Sequence, residues 1–435
     1  MQTRMSTHGF TWRAQILLLL LAVAPVDAEI VGSRVVRFPW TSFVQRVDGA
    51  VYVTALRFDS AGNVVVAATL DDVISSELMV ASFAREDGTL RWVYRLPEHP
   101  GTENFVYDAA VDKRGDVVLS GFTDGVEEVP EVGTRFAAIK LDGETGSVRW
   151  RSDLGLGGGR SLAIDARGDV FVTGGSYRQE EDGNVVGSTL LRKLDALDGR
   201  TIWESGDLGP GFWFPLALDA RGDAFVDGPA AIIKYGGADG REMWRSPAGE
   251  SVMQVQTFGG GGVVAHECHV NPERHTYETH VVRRRKRDGI ERWRRVYPEG
   301  RMFGCLLKVA TWRHRSVFIG GTDPSGVWIA RLDGKGLERW RTYFHPQRDA
   351  GVESIALSTS AEVVVHWTKG VIAFSARTGT EMWRFNEATW RQHRVAVDRD
   401  GTVAFARDAH VAGCGSGLLI STISEGATGS LPPCD

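Results

Sequence analysis

The chain is poor in cysteine, with 4 in 435 residues, and in proline, with 15. Four cysteines cannot staple a chain of this length, so a hydrophobic core must hold it. No stretch approaches the ~20 apolar residues that a membrane-spanning helix needs. An excess of one charge is missing too: 50 Lys and Arg stand against 55 Asp and Glu, a net charge of −5. Nothing in that balance draws the chain to nucleic acid or to an anionic membrane. Also absent are a Walker loop, a Gly-x-Ser-x-Gly elbow, a His-Glu-x-x-His pair and an EF-hand loop. Those absences exclude the chemistries that short motifs announce.

What the chain has in abundance is glycine, 52 residues, and tryptophan, 14. Hydrophobic residues make up 43% and charged residues 24%, a globular balance. The N-terminus reads as an address. Arg4 and Arg13 precede the apolar run Ile16–Val26, which is too short to span ~30 Å of hydrocarbon. Val26-Asp27-Ala28 then offers small residues for a cut before Glu29. Residues 1–28 are therefore expected to be a signal peptide, and no Cys follows to carry a lipid anchor. Residues 29–435 are expected to form a single exported domain, periplasmic or extracellular, with a short tail from about 424. In that compartment Cys268, Cys305, Cys414 and Cys434 can form disulfides. The pairs closest in sequence, Cys268–Cys305 and Cys414–Cys434, are preferred, with free thiols as the alternative.

One unit recurs along the chain. Its first half is an apolar residue, then Asp-x-x-Gly-Asp or Asn, then alternating apolar residues. Asp112-Lys-Arg-Gly115-Asp116, Asp165-Ala-Arg-Gly168-Asp169 and Asp219-Ala-Arg-Gly222-Asp223 are the clearest copies. Related copies begin at Asp59 and Asp398. Asp can bond the amides of a tight turn, and Gly can take positive φ there. The second half is an apolar strand followed by Gly-x-x-x-Trp. It occurs at Gly88/Trp92, Gly146/Trp150, Gly199/Trp203, Gly240/Trp244, Gly289/Trp293, Gly336/Trp340 and Gly379/Trp383. A unit of about 40–50 residues is the length of a four-stranded propeller blade.

The ends complete the count. Arg394–Asp398 and Thr402–Phe405 repeat the first half, and a third strand follows near Leu418–Ile423, with no Trp after it. Val35–Phe43, with Trp40, looks like an orphan fourth strand. The expected fold is thus all-β: an eight-bladed propeller of four-stranded antiparallel blades, closed by the N-terminal strand. Seven blades with a ragged end is the alternative.

Leu141-Asp-Gly-Glu-Thr-Gly146-Ser-Val-Arg-Trp150 resembles the tryptophan-docking repeat of the pyrroloquinoline-quinone (PQQ) dehydrogenase-like propellers. The resemblance covers most of residues 35–423. It implies that Trp40, Trp92, Trp150, Trp203, Trp244, Trp293, Trp340 and Trp383 pack between neighbouring blades, a structural role. The superfamily includes calcium–quinone dehydrogenases and also non-enzymatic scaffolds such as the outer-membrane assembly lipoprotein. This chain departs from the quinoprotein alcohol dehydrogenases, because it lacks a vicinal Cys-Cys pair and a Cys-x-x-Cys-His haem site. A non-catalytic member with no cofactor is the expectation. PQQ with calcium, or zinc, belongs to the alternative reading.

Several groups are weighed against chemistry. Gly155–Gly159 and Gly259–Gly262 read as turns at blade junctions. Each Asp-x-x-Gly-Asp turn offers about two carboxylates, too few for the 6–8 oxygens calcium takes. His266, Cys268, His269, His275 and His280 gather on one hairpin turning at Asn271-Pro272. Imidazole and thiolate suit zinc or copper, but strand alternation parts His266 and Cys268 from His269, so a polar hairpin is favoured. The basic run Arg283–Arg287 places Arg283, Arg285 and Arg287 on one strand face, a possible contact for an anionic partner; a solvated blade edge is the plainer reading. Lys140, Lys193, Lys234 and Arg283 stand at one repeat position, six before the Gly, which points to a shared structural role.

The reading favoured is an exported, monomeric, non-catalytic propeller that binds another protein or a surface glycan. A quinone- or metal-dependent periplasmic oxidoreductase is the alternative, and a hydrolase or lyase with residues scattered over blade loops is a third.

Overall fold

The structure is a computed structural model. It describes residues 29–425 apart from 32–33, 38–40, 47–49, 72–75, 97–102, 124–134, 180–184, 210–214, 259–261, 272–275, 299–306, 313–315, 347–349, 360, 387–393 and 412–414. Every element among the described residues is a strand. Three short ones open the chain: β1 (Glu29–Val31), β2 (Arg34–Arg37) and β3 (Thr41–Arg46). The first sheet comprises β4 (Ala50–Phe58), β5 (Val64–Asp71), β6 (Ser76–Phe83) and β7 (Leu90–Arg95). Next come β8 (Asn104–Val111), β9 (Val117–Thr123), β10 (Arg135–Leu141) and the long β11 (Val148–Ile164). Strand β11 also begins the third unit, with β12 (Val170–Gln179), β13 (Val185–Leu194) and β14 (Thr201–Glu204).

The fourth sheet holds β15 (Leu216–Leu218), β16 (Ala224–Gly228), β17 (Ala231–Tyr235) and β18 (Glu242–Pro247). The fifth holds β19 (Ser251–Phe258), β20 (Gly262–Asn271), β21 (Thr276–Arg285) and β22 (Glu291–Pro298). The sixth holds β23 (Lys308–Trp312), β24 (Ser316–Asp323), β25 (Gly326–Asp333) and β26 (Glu338–His345). The seventh holds β27 (Val352–Leu357), β28 (Glu362–Trp367), β29 (Gly370–Ser375) and β30 (Glu381–Asn386). Last come β31 (Arg394–Val397), β32 (Val403–Val411) and β33 (Gly415–Glu425).

Each unit is an antiparallel meander, as hairpin connections of a few residues require. The middle strands β5 and β6 are buried along almost their whole length, because other sheets cover both faces. Outer strands such as β18 keep alternate residues in solvent. The first strands of the units touch in cyclic order: β4, β8, β11, β15, β19, β23, β27, β31, then β4 again. A ring of sheets around one axis is a β-propeller. The core is divided accordingly into clusters that each bridge two neighbouring sheets. One joins Val65, Leu78 and Trp92 to Val117 and Ile139; another joins Leu418 and Ile420 of the last sheet to Val64 and Met79 of the first.

The N-terminal strand closes the ring. Strand β3 pairs antiparallel with β33, from Thr41 opposite Ser421 to Arg46 opposite Ser416. Strand β2 lies further along the same edge, with Arg37 opposite Ser424. The single orphan strand expected over Val35–Phe43 is therefore two, β2 and β3. Gly155–Gly159 also departs from expectation. It is no turn but the middle of β11, which runs unbroken from one sheet into the next. Gly155 and Gly157 take φ of +95° and +134°, so the bend between sheets is absorbed within the strand.

Candidate functional site

The repeat motifs meet at one end of each sheet. In the second unit Asp112 Oδ1 accepts the amides of Arg114 at 2.8 Å and Asp116 at 3.0 Å, which fixes the β8–β9 turn. Its other oxygen takes Lys140 Nζ at 2.8 Å, and Asp116 lies 3.4 Å from the same ammonium. The third unit repeats this with Lys193 between Asp165 (3.2 Å) and Asp169 (3.0 Å), and the fourth with Lys234 between Asp219 and Asp223. These lysines are buried. Burial pushes the Asp223 carboxyl up, but hydrogen bonds from Lys234 and the Gly237 amide outweigh it, so its pKa lies below the ordinary value. The carboxylates of these turns are thus held by ammonium groups from their own sheets.

The lysines also explain the tryptophans. Lys140 stands opposite Trp150 across β10–β11, and both donate to the Ala196 carbonyl of the next sheet, at 3.4 and 3.2 Å. Lys193 and Trp203 share Gly237 O in the same way. Arg283 with Trp293 shares Gly334 O, and Arg331 with Trp340 shares Ala376 O. Trp92 and Trp244 reach Gly143 O and Lys286 O of the following sheet. The glycine four before each Trp completes the dock. A Cβ on Gly146 would lie 2.6 Å from Trp92, and on Gly240 2.6 Å from Trp203. Trp383 is buried among Val364, Val403 and Phe405 of the last two sheets. Trp40 lies outside the described residues, yet Ser42 bonds Gly88 O at 2.6 Å. Ser152 to Gly199, Ser246 to Gly289 and Thr342 to Gly379 make the same bond. The hydroxyl two residues after Trp is thus a dock component; Trp-x-Ser/Thr occurs five times, and in the fifth copy Ser205 bonds Gly206 O instead.

The histidine hairpin of the fifth unit forms two separate environments. His266 is buried, and burial lowers its pKa to about 3, so it stays neutral. On the other face Glu267 pairs with buried Arg284 and meets His269 Nε2 at 3.2 Å. The rings of His269 and His280 stack at 3.8 Å, and Arg294 donates to His280 Nδ1 at 2.8 Å. Cys268 is in a disulfide. Cys305, Cys414, Cys434 and His275 lie outside the described residues. Among the described residues no three His, Cys, Asp or Glu side chains are placed to hold a metal ion.

The basic run does not form the single charged face expected of it. Strand β21 ends at Arg285, so Arg287 sits in the following turn and not on the strand. Arg283 covers the Phe258 ring at 4.4 Å while bonding Gly334 O. Arg285 pairs with Asp288, its Nε 2.6 Å from Oδ1. Alternation was right for Arg283 against Arg284; the position of the strand end was misjudged.

Charged groups also line the propeller axis, and no motif announces them. Arg57 Nη2 meets Asp108 Oδ1 at 3.2 Å between the first two inner strands, and Asp108 Oδ2 accepts the Leu162 amide of the third. Arg394 donates to Thr54 O at 3.1 Å. Burial raises the pKa of Asp108 against the opposing charge of Arg57, and burial lowers that of Lys308 against that of Glu353. Bulges fall at equivalent points of β4, β8, β11, β19 and β27. One of them carries Arg160 over the Tyr107 ring at 3.9 Å. The arrangement offers charge and aromatic contact along the axis.

Residues 187–368 match the family model described as PQQ_2, Outer membrane protein assembly factor BamB. Over those residues the chain is similar to PQQ-like propeller repeats. Among solved structures, BamB from Moraxella catarrhalis is similar at 14% identity, covering 84% of this chain and 100% of that one, with a TM-score of 0.44. A structure of the Mitotic Checkpoint Complex is similar at 12% identity, covering 97% of this chain and 98% of that one, with a TM-score of 0.46. No curated protein matches.

Proposed function

We propose that the chain is an exported, eight-bladed, non-catalytic propeller that serves as a binding scaffold for another protein. The observation that carries this reading is the match of residues 187–368 to the family of an outer membrane protein assembly factor. Two further features support it. The repeated carboxylates and ammonium groups fix turns within their own sheets, and the indoles join each sheet to the next. The turns between strands expose residues such as Lys113, Arg114, Ala166 and Arg167, and surface turns are a usual place for recognition. No bound cofactor is required by this reading, and export rests on the N-terminal Ile16–Val26 run and the small residues at Val26 and Ala28.

Native mass spectrometry of the protein purified from its own source tests it. A stoichiometric polypeptide partner is the expected result. A bound quinone or calcium ion, with no partner, would overturn the scaffold in favour of the oxidoreductase.

A further inference from the structure

Between the fifth and sixth sheets lies a cavity of about 610 Å³. That volume is in the range of sites that hold small ligands or single anchoring side chains. Arg295, Val296 and Tyr297, three consecutive residues of β22, all line it. Successive residues of a strand point to opposite faces, so all three reach one cavity only along the strand's edge. Strand β22 ends the order β19-β20-β21-β22, which leaves that edge without a neighbouring strand in its sheet. An open edge is a row of amides and carbonyls in want of partners.

The opposite wall is Trp328. Its side chain is buried, with the Tyr297 ring stacked on it at 5.6 Å. The surrounding charges do not call for an ion. Arg341 lies 4.2 Å over the Trp328 ring and is held by Glu338 at 2.7 Å and Asp323 at 3.7 Å. Arg295 bonds Gly336 O. Two cations face two carboxylates, so the cavity suits a neutral occupant. Val296, which lines the cavity and is exposed, gives it an apolar lip.

We propose that this cleft binds an extended polypeptide segment of the partner. The segment runs along the free edge of β22 and places an apolar side chain in the cavity against Trp328. The proposal rests on the scaffold reading and adds the site to it.

The test uses random dodecapeptides displayed on phage, selected against the full chain, followed by titration of an enriched peptide. Peptides with an apolar anchor should be enriched. Val296→Asp, at an exposed position, should weaken binding at least tenfold, while Leu197→Asp, on the turn of the third unit, should leave it unchanged. The indole ¹⁵N resonance that disappears in Trp328→Phe should shift when peptide saturates the wild type. Absence of enrichment, affinity indifferent to Val296→Asp, or an unmoved indole resonance would overturn the site. So would a shift of that resonance by a neutral oligosaccharide such as maltoheptaose and not by peptide. Peptides blocked by Leu197→Asp alone would overturn the cleft and leave the scaffold reading standing.

Discussion

Lys140 shows how one side chain serves two joints at once. It neutralises Asp112 and Asp116 in its own sheet and reaches Ala196 O in the next. Lys140→Met should therefore leave two buried carboxylates facing each other, at a cost of about 3–5 kcal/mol. Urea unfolding of the variant checks this, and an unchanged midpoint would refute it. Asp227 is the opposite case, a carboxyl with no cation beside it among the described residues. Burial, reinforced by the charge of Glu267, raises its pKa to about 7. Between about 4 and 7 the unfolded chain has lost this proton and the folded chain retains it. Stability must then fall as pH rises through that window and level off above it. Asp227→Asn should remove that fall. Melting temperatures of the two proteins should diverge between pH 4 and 7, and parallel curves would count against the assignment. At this scale the sequence was partly legible. The recurrence of Lys140, Lys193 and Lys234 announced a common role, but not that the Asp-x-x-Gly-Asp turns were their partners, because those partners come together only when the strands pair.

The turn before each Trp is the element that joins the units. Gly240 has φ of +68°, and a Cβ there would meet Trp203 at 2.6 Å. Gly240→Ala is thus strained in its backbone and crowded at its side chain, and should destabilise by about 1–3 kcal/mol. Calorimetry of the variant tests the pairing of turn and indole. Trp-Gly spacing made this element readable, since seven copies in one chain leave their register plain. Where copies are few, reading failed. Gly155–Gly159 looked like a turn because glycine clusters mark turns more often than bends inside a strand. The Arg283–Arg287 run looked like a uniform face because nothing local shows where β21 ends.

For the whole molecule, closure is the property that matters most. Removing residues 29–46 takes away β2 and β3 and leaves the edge of β33 open over Ser416–Ser421 and Ser424–Glu425. The melting temperature should drop and the transition should broaden as the last sheet separates from the first. An unaltered, equally sharp transition would contradict closure. The sequence made this joint visible through the orphan Trp40 and the incomplete last repeat. It could not reveal the charges at the axis, since Arg394 meets Thr54 from the far end of the chain. Nor could it reveal the cleft beside Trp328, whose walls come from different repeats.

The pairing of Thr41 with Ser421 also sets an order of events. A ribosome makes β3 among the first strands and β33 last, so β3 must wait through nearly all of synthesis for its partner. Until then a growing chain has an unpaired strand at each end of its row of sheets. Contacts this distant in sequence form slowly, and such edges invite the wrong neighbour. Truncated chains should therefore aggregate in proportion to how much of the last three strands they lack, and the protein should depend on assistance during biogenesis more than its finished form would lead one to expect.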